Sequence, residues 1–319
     1  MEDGSVIAWG DARRGGDCHP VQAQLRNVTA VHATRFAFAA VLENGSVVTW
    51  GDAAGGGHLG RVREQLTNVR GLSATCTAFA ALLADGSVVT WGDPSAGGDS
   101  TAVRHQLTNV PQVHATGRAF AAILADGTVV TWGSSIYGGD SSGVQEQLQK
   151  VRQIQRAAYA FAAILEDGSV IAWGDARRGG DCHPVQAQLR NVTAVHATRF
   201  AFAAVLENGS VVTWGDAAGG GHLGRVREQL TNVRGLSATC TAFAALLADG
   251  SVVTWGDPSA GGDSTAVRHQ LTNVPQVHAT GRAFAAILAD GRGEMLAVVV
   301  IALQCRRSFG TCSHFMPLP

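Results

Sequence analysis

The side chains best suited to chemistry in this chain are strand histidines, an Asp-Cys-His triplet, aspartates after paired glycines, and two arginine pairs. His32 and His114 occupy one position of a repeating unit, and a histidine there could ligate a metal or act as a general base. The equivalent positions carry Ser73 and Gln155, which do neither, so these histidines read as packing or solvent-facing groups. Asp17-Cys18-His19 sets a carboxylate, a thiol and an imidazole side by side. Nucleophilic triads assemble across a fold rather than between sequence neighbours, so the triplet does not read as a catalytic centre. Asp17, Asp99 and Asp140 each follow Gly-Gly, as in calcium-binding glycine-rich repeats. Those repeats have a nonapeptide period, which this chain lacks, and His58 replaces the aspartate in another unit. Walker, Gly-x-Ser-x-Gly and His-Glu-x-x-His motifs are absent. Arg13-Arg14 and Arg177-Arg178 suit an acidic partner or plain solvation. The expectation is a chain that is not an enzyme and uses no metal or cofactor.

The elements that carry these residues repeat. Trp9, Trp50, Trp91, Trp132, Trp173, Trp214 and Trp255 stand 41 residues apart, and Phe38, Phe79, Phe120, Phe161, Phe202, Phe243 and Phe284 keep the same interval. A fixed period near that length marks an architecture of stacked or ring-closed units. In one unit, Gly71–Thr75 alternates apolar and polar residues, and Ala78–Leu83 is short and apolar. Asp85-Gly86 is a tight hairpin signal, and Ser87–Trp91 is a β-branched return strand. A glycine-rich loop follows, and Val103–Leu107 is expected to supply a fourth, outer strand. Gly, Pro or Asp-Gly interrupts every window long enough for a helical repeat. The unit is thus one propeller blade, with its Trp packed between blades.

The string Leu83-Ala-Asp-Gly-Ser-Val-Val-Thr-Trp-Gly92 recurs at Leu124–Gly133, Leu165–Gly174 and Leu247–Gly256, with Asn for Asp at Leu42-Glu-Asn-Gly45 and Leu206-Glu-Asn-Gly209. It resembles the repeat signature of the regulator of chromosome condensation family, over residues 2–291. The resemblance implies an all-β, seven-bladed β-propeller. It is also similar to the repeat arrays of HERC-type ubiquitin ligases, although no catalytic HECT domain accompanies it here. From Asp3 to Ala289 there are 287 residues, seven times 41, so the N-terminal strand Ser5–Trp9 is expected to pair with Phe284–Leu288 and complete the seventh blade. The apolar run Met295–Ile301 competes for that place.

Residues 2–127 and 166–291 are identical, so the seven blades use four sequences in the order a-b-c-d-a-b-c, and a non-repeat tail, 292–319, follows. The framework barely changes between repeats, while two segments vary. One is the loop after Trp-Gly: Ala12-Arg-Arg14, Ala53-Ala54, Pro94-Ser-Ala96 and Ser134-Ser-Ile-Tyr137. The other is the turn before the Phe strand: Arg35-Phe36, Cys76-Thr77, Gly117-Arg118 and Ala158-Tyr159. A rigid scaffold with variable loops on one rim is the pattern of a binding module, and Arg and Tyr are favoured anchors. Arg13, Arg14, Arg35, Arg61, Arg118, Tyr137, Arg177 and Arg178 are the candidate rim. The expected role is a protein-interaction scaffold. From the resemblance, ubiquitin machinery or a small GTPase are the partners to consider, the latter as target of nucleotide exchange. An unbroken 41-residue period leaves no room for the inserted loop that exchange uses in the founding member. A net charge of −1 gives no footprint for nucleic acid. The longest apolar run, Met295–Leu303, is too short to span a membrane, and neither a signal peptide nor a disulfide framework is evident, so the expected setting is intracellular.

Overall fold

A computed structural model describes residues 4–289 and the strand Met295–Ile301. It contains seven antiparallel sheets, each of three strands in sequential order, the blades expected from the repeat. The described residues fall into two compact units, one of residues up to 166 with 171–175, the other of residues 167–170 with those from 176 onward. The first is built on four sheets. Sheet 1 comprises Val28–Ala33, Ala37–Leu42 and Val47–Gly51; sheet 2, Val69–Ala74, Ala78–Leu83 and Val88–Gly92. Sheet 3 comprises Gln112–Ala115, Ala119–Ile123 and Val129–Gly133; sheet 4, Val151–Arg156, Ala160–Leu165 and Val170–Gly174. The second unit holds sheet 5 (Val192–Ala197, Ala201–Leu206, Val211–Gly215), sheet 6 (Val233–Ala238, Ala242–Leu247, Val252–Gly256) and sheet 7 (Gln276–Ala279, Phe284–Ala289, Met295–Ile301).

Local chemistry sets each hairpin. Asp85 Oδ1 accepts from the Ser87 backbone N–H at 2.9 Å and from its hydroxyl at 2.7 Å, while Gly86 takes φ +80°. Asn44 makes the same pair of bonds to Ser46, at 3.0 and 2.7 Å. The side-chain oxygen, not the charge, shapes the turn, which is why Asp and Asn exchange freely between repeats. Middle strands such as Ala119–Ile123 are buried along their whole length, with small alanines where neighbouring sheets approach.

Opposite Phe and Trp residues are paired in register, as Phe120 with Trp132, and their rings stack at 5.3 Å. The loop leaving one sheet then clamps the ring pair of the next. Trp91 Nε1 donates to Gly56 O at 3.0 Å, Trp132 to Gly97 O at 3.1 Å and Trp173 to Gly138 O at 3.0 Å. In the second unit, Trp214 and Trp255 donate likewise to Gly179 O and Gly220 O. Gly97 has φ +90°, and a Cβ there would lie 2.6 Å from the Phe120 ring, so only glycine brings its carbonyl to the indole. Burying each indole removes about 150–250 Å² from water, an upper-bound gain of about 4–6 kcal/mol.

Three expectations are corrected. Val103–Leu107 is not an outer strand: it is a short 3₁₀ turn, Arg104–Gln106, whose flanking Val103 and Leu107 pack into the core between sheets 2 and 3. A turn covers that flank with two apolar side chains and needs no further hydrogen-bonded edge. In sheet 7, Phe284–Ala289 pairs with Met295–Ile301, so the competing segment, and not Ser5–Trp9, supplies the third strand. Ser5–Trp9 is not a strand, and Trp9 is 85% exposed where the other six tryptophans are buried. Each buried Trp stacks on the Phe twelve residues before it; Trp9 has no Phe at that offset, and the register of sheet 7 sets Ile301 opposite Phe284. The tail segments 292–294 and 302–319 lie outside the described residues.

Candidate partner-binding rim

The turn joining the first and second strands and the loop after Trp-Gly meet at one end of sheets 1, 2, 3, 5 and 6. Thr34 Oγ1 donates to Gly55 O at 2.9 Å, and Thr116 Oγ1 donates to Tyr137 O at 2.8 Å. Thr198 repeats the contact with Gly219 O at 2.8 Å in the second unit. Each threonine oxygen also accepts from its own turn, as from Ala37 N at 3.0 Å, so the loop and turn are locked together. Successive turn tips are then laced through the backbone. Arg35 N donates to Cys76 O, Cys76 N to Gly117 O and Gly117 N to Ala158 O; in the second unit Arg199 N donates to Cys240 O and Cys240 N to Gly281 O. In these five sheets a shared threonine framework therefore holds the two most variable segments of the repeat against each other; in sheet 4, Ala157 stands at the threonine position.

Side chains complete the contact between each loop and the turn of the following sheet. Arg14 lies over the Phe36 ring at 5.2 Å, and its Nε pairs with Asp11 at 3.4 Å. In the second unit, Arg178 and Arg199 lie over Phe200 at 5.6 and 5.5 Å. Arg118 Nη2 donates to Asp93 Oδ2 at 3.2 Å and to Ser95 Oγ at 2.8 Å. Hydrogen bonds from Ser95, Thr77 and Arg118 hold the Asp93 carboxyl below its ordinary value, against a burial effect that opposes them. Tyr137 stacks on Tyr159 at 4.7 Å, and burial together with the neighbouring tyrosine pushes its phenol up.

Arg13 and Arg177 are exposed beside these contacts, and Arg35 is exposed on a turn tip. Arg61 stands apart from them, on the 3₁₀ segment Gly60–Gln65, whose Val62 packs against the core of sheets 1 and 2. The structure adds Phe36, Phe200, Tyr159, Asp93 and Arg199 to the rim. For Phe36, Phe200 and Tyr159 the signal is a 22-residue offset at which loop and turn vary together: Arg14 with Phe36, Gly55 with Thr77, Ala96 with Arg118, Tyr137 with Tyr159.

The other chemistry-bearing residues serve the framework. Asp17 accepts from His19 Nδ1 at 2.8 Å, but Cys18 turns inward to Gln22 Oε1 at 3.0 Å, so the triplet does not converge. Asp99 and Asp140 cap their own turns through Thr101 N and Ser142 N, both at 2.9 Å. His114, on the first strand of sheet 3, has its Nε2 sealed from solvent with no hydrogen-bond partner. Burial, and then the Arg156 charge, depress it to about 4. Among the described residues, no three His, Cys, Asp or Glu side chains gather to hold a metal, and no helix is long and apolar enough to cross a membrane.

No family model and no curated protein matches this chain. Among solved structures it is similar to Prp20p from Saccharomyces cerevisiae, at 15% identity over 83% of this chain and 84% of that one, with a TM-score of 0.44. Human WBSCR16 matches at 18% identity over 68% and 70%, with a TM-score of 0.43. The computationally designed Ika8 protein matches at 17% over 86% and 83%, with a TM-score of 0.39. These likenesses assign no partner and no activity to this chain.

Proposed function

We propose that the chain is a non-enzymatic protein-binding scaffold whose variable rim takes a protein partner. The observation that carries this reading is the locking of the two variable segments against each other at one end of five sheets, by the same threonine bond in each. A packing role would not call for four different residue pairs at equivalent positions of the repeat: Arg/Phe, Gly/Thr, Ala/Arg and Tyr/Tyr. The exposed ends are rich in guanidinium and aromatic groups, the side chains that anchor interfaces.

The test is affinity capture with the full chain, beside a version whose variable loops all carry the Ala53–Gly57 sequence. Partners lost in the replaced version place binding on the rim. Equal recovery by both refutes the reading. The identity of the captured protein separates a small GTPase, whose nucleotide release is then measured with and without this chain, from components of the ubiquitin system.

A further inference from the structure

Because residues 2–127 recur as 166–291, every rim side chain of repeats a, b and c is present twice. Within the repeat array 2–291, only residues 128–165 occur once, and both tyrosines of the chain fall there. We propose that Tyr137, Tyr159, Ile136 and Arg118 form the principal anchoring site of the rim, taking one extended peptide segment per chain in which a large apolar side chain adjoins a carboxylate. The inference rests on the rim reading above and names its partner chemistry and stoichiometry.

The site is built rather than incidental. Gly117 stands on the turn tip, where other repeats have Arg35, Cys76 and Ala158. A Cβ at Gly117 would come within 3.2 Å of the Tyr137 ring and 3.0 Å of Ala158 O, so its absence leaves room for Tyr137. The stack against Tyr159 and the bond from Thr116 Oγ1 to Tyr137 O hold the ring in place. Beside it, Ile136 is 62% exposed, one of few large apolar side chains left open among the described residues. A rigid aromatic pair beside an exposed aliphatic residue offers an apolar seat at low entropy cost.

The polar edge of the site is a donor. Asp93 takes hydrogen bonds from Thr77 Oγ1, Ser95 N, Ser95 Oγ and Arg118, which occupy its oxygens inside the rim. Arg118 makes both of its contacts through Nη2, and its side chain is 43% exposed against 26% for Asp93. A guanidinium fixed on one side and open on the other presents donors to a carboxylate in a set orientation. Ligand acceptors are therefore favoured, and ligand cations are not.

The experiment pans a displayed library of random dodecapeptides on the full chain and measures recovered peptides by calorimetry. Tyr137→Ala and Tyr159→Thr install residues the chain itself carries at the equivalent positions 96 and 77, so both variants keep a sequence the frame accepts. Expected are peptides pairing Leu, Phe or Trp with Asp or Glu, binding one per chain and weakened about tenfold or more by either change. Phe36→Thr and Phe200→Thr leave them unaffected. A basic consensus, two peptides per chain, or equal binding to the tyrosine variants overturns the site. Peptides that bind these variants but not the loop-replaced chain refute this site while the rim reading stands. Peptides that bind both, or no enrichment at all, refute both.

Discussion

His114 makes the folded chain sensitive to mild acid, and the size of the effect follows from its surroundings. Its Nε2 is sealed without a hydrogen-bond partner, and the Arg156 charge further disfavours a proton. The imidazole is therefore held at about 4, against 6.5 when solvated. The folded-state value is depressed, so the stabilisation is fully present above the unfolded value and is lost as pH falls from 6.5 towards 4. Between pH 7.5 and 4.5 the linkage amounts to about 2.5 kcal/mol. Gln155 occupies the equivalent position in sheet 4, so His114→Gln is a substitution the frame already accepts. Urea midpoints for the parent and His114→Gln, measured at pH 7.5, 5.5 and 4.5, give the comparison. The parent should lose about 2.5 kcal/mol more than the variant over that range. His32 and His196, also lowered by burial, act equally in both proteins and cancel in the difference. Parallel pH profiles would refute the argument, because a histidine that titrates normally in the folded state produces no such difference.

Identical sequences in different surroundings give a second test: Trp173→Ala should cost about 3–5 kcal/mol and Trp9→Ala less than about 0.5, by denaturant unfolding. Equal costs would mean that Ser5–Trp9 is packed in a sheet after all. Gly97→Ala should destabilise by about 2–4 kcal/mol, since it adds a Cβ at φ +90° against the Phe120 ring; a neutral melting temperature would count against the clamp on Trp132. Lys150 has φ 53°, a left-handed conformation that asparagine holds in the six equivalent places. Lys150→Asn should therefore stabilise by about 0.5–1 kcal/mol in thermal unfolding, and destabilisation would contradict the turn argument.

Much of the blade was legible because its causes lie close together along the chain. Asp85-Gly86 turns on itself within four residues, and the apolar run Ala78–Leu83 between two pairing edges needs nothing distant to define it as a middle strand. The arginine and tyrosine candidates were visible as variation between repeats, yet Phe36, Tyr159 and Asp93 were not singled out. Their roles come from contacts made 22 or more residues away, which no local pattern displays. The outer flank failed for a related reason: Val103 and Leu107 satisfy an apolar demand from the neighbouring sheet, and a turn meets it as well as a strand.

The amino-acid sequence alone determined the 41-residue unit, its hairpin turns, the shared interval of its Phe and Trp residues and the two segments free to vary, because short-range hydrogen bonding and the period-two alternation of strands act within one repeat. Only the tertiary structure decided what the duplicated residues experience. His114 and His278 lie in identical sequence, yet the first is half-buried with its Nε2 sealed and the second is exposed. Trp9 and Trp173 share the same flanks, yet one is 85% exposed and the other 3%. Burial belongs to whatever packs against a residue, and two copies of one segment differ wherever their neighbours do.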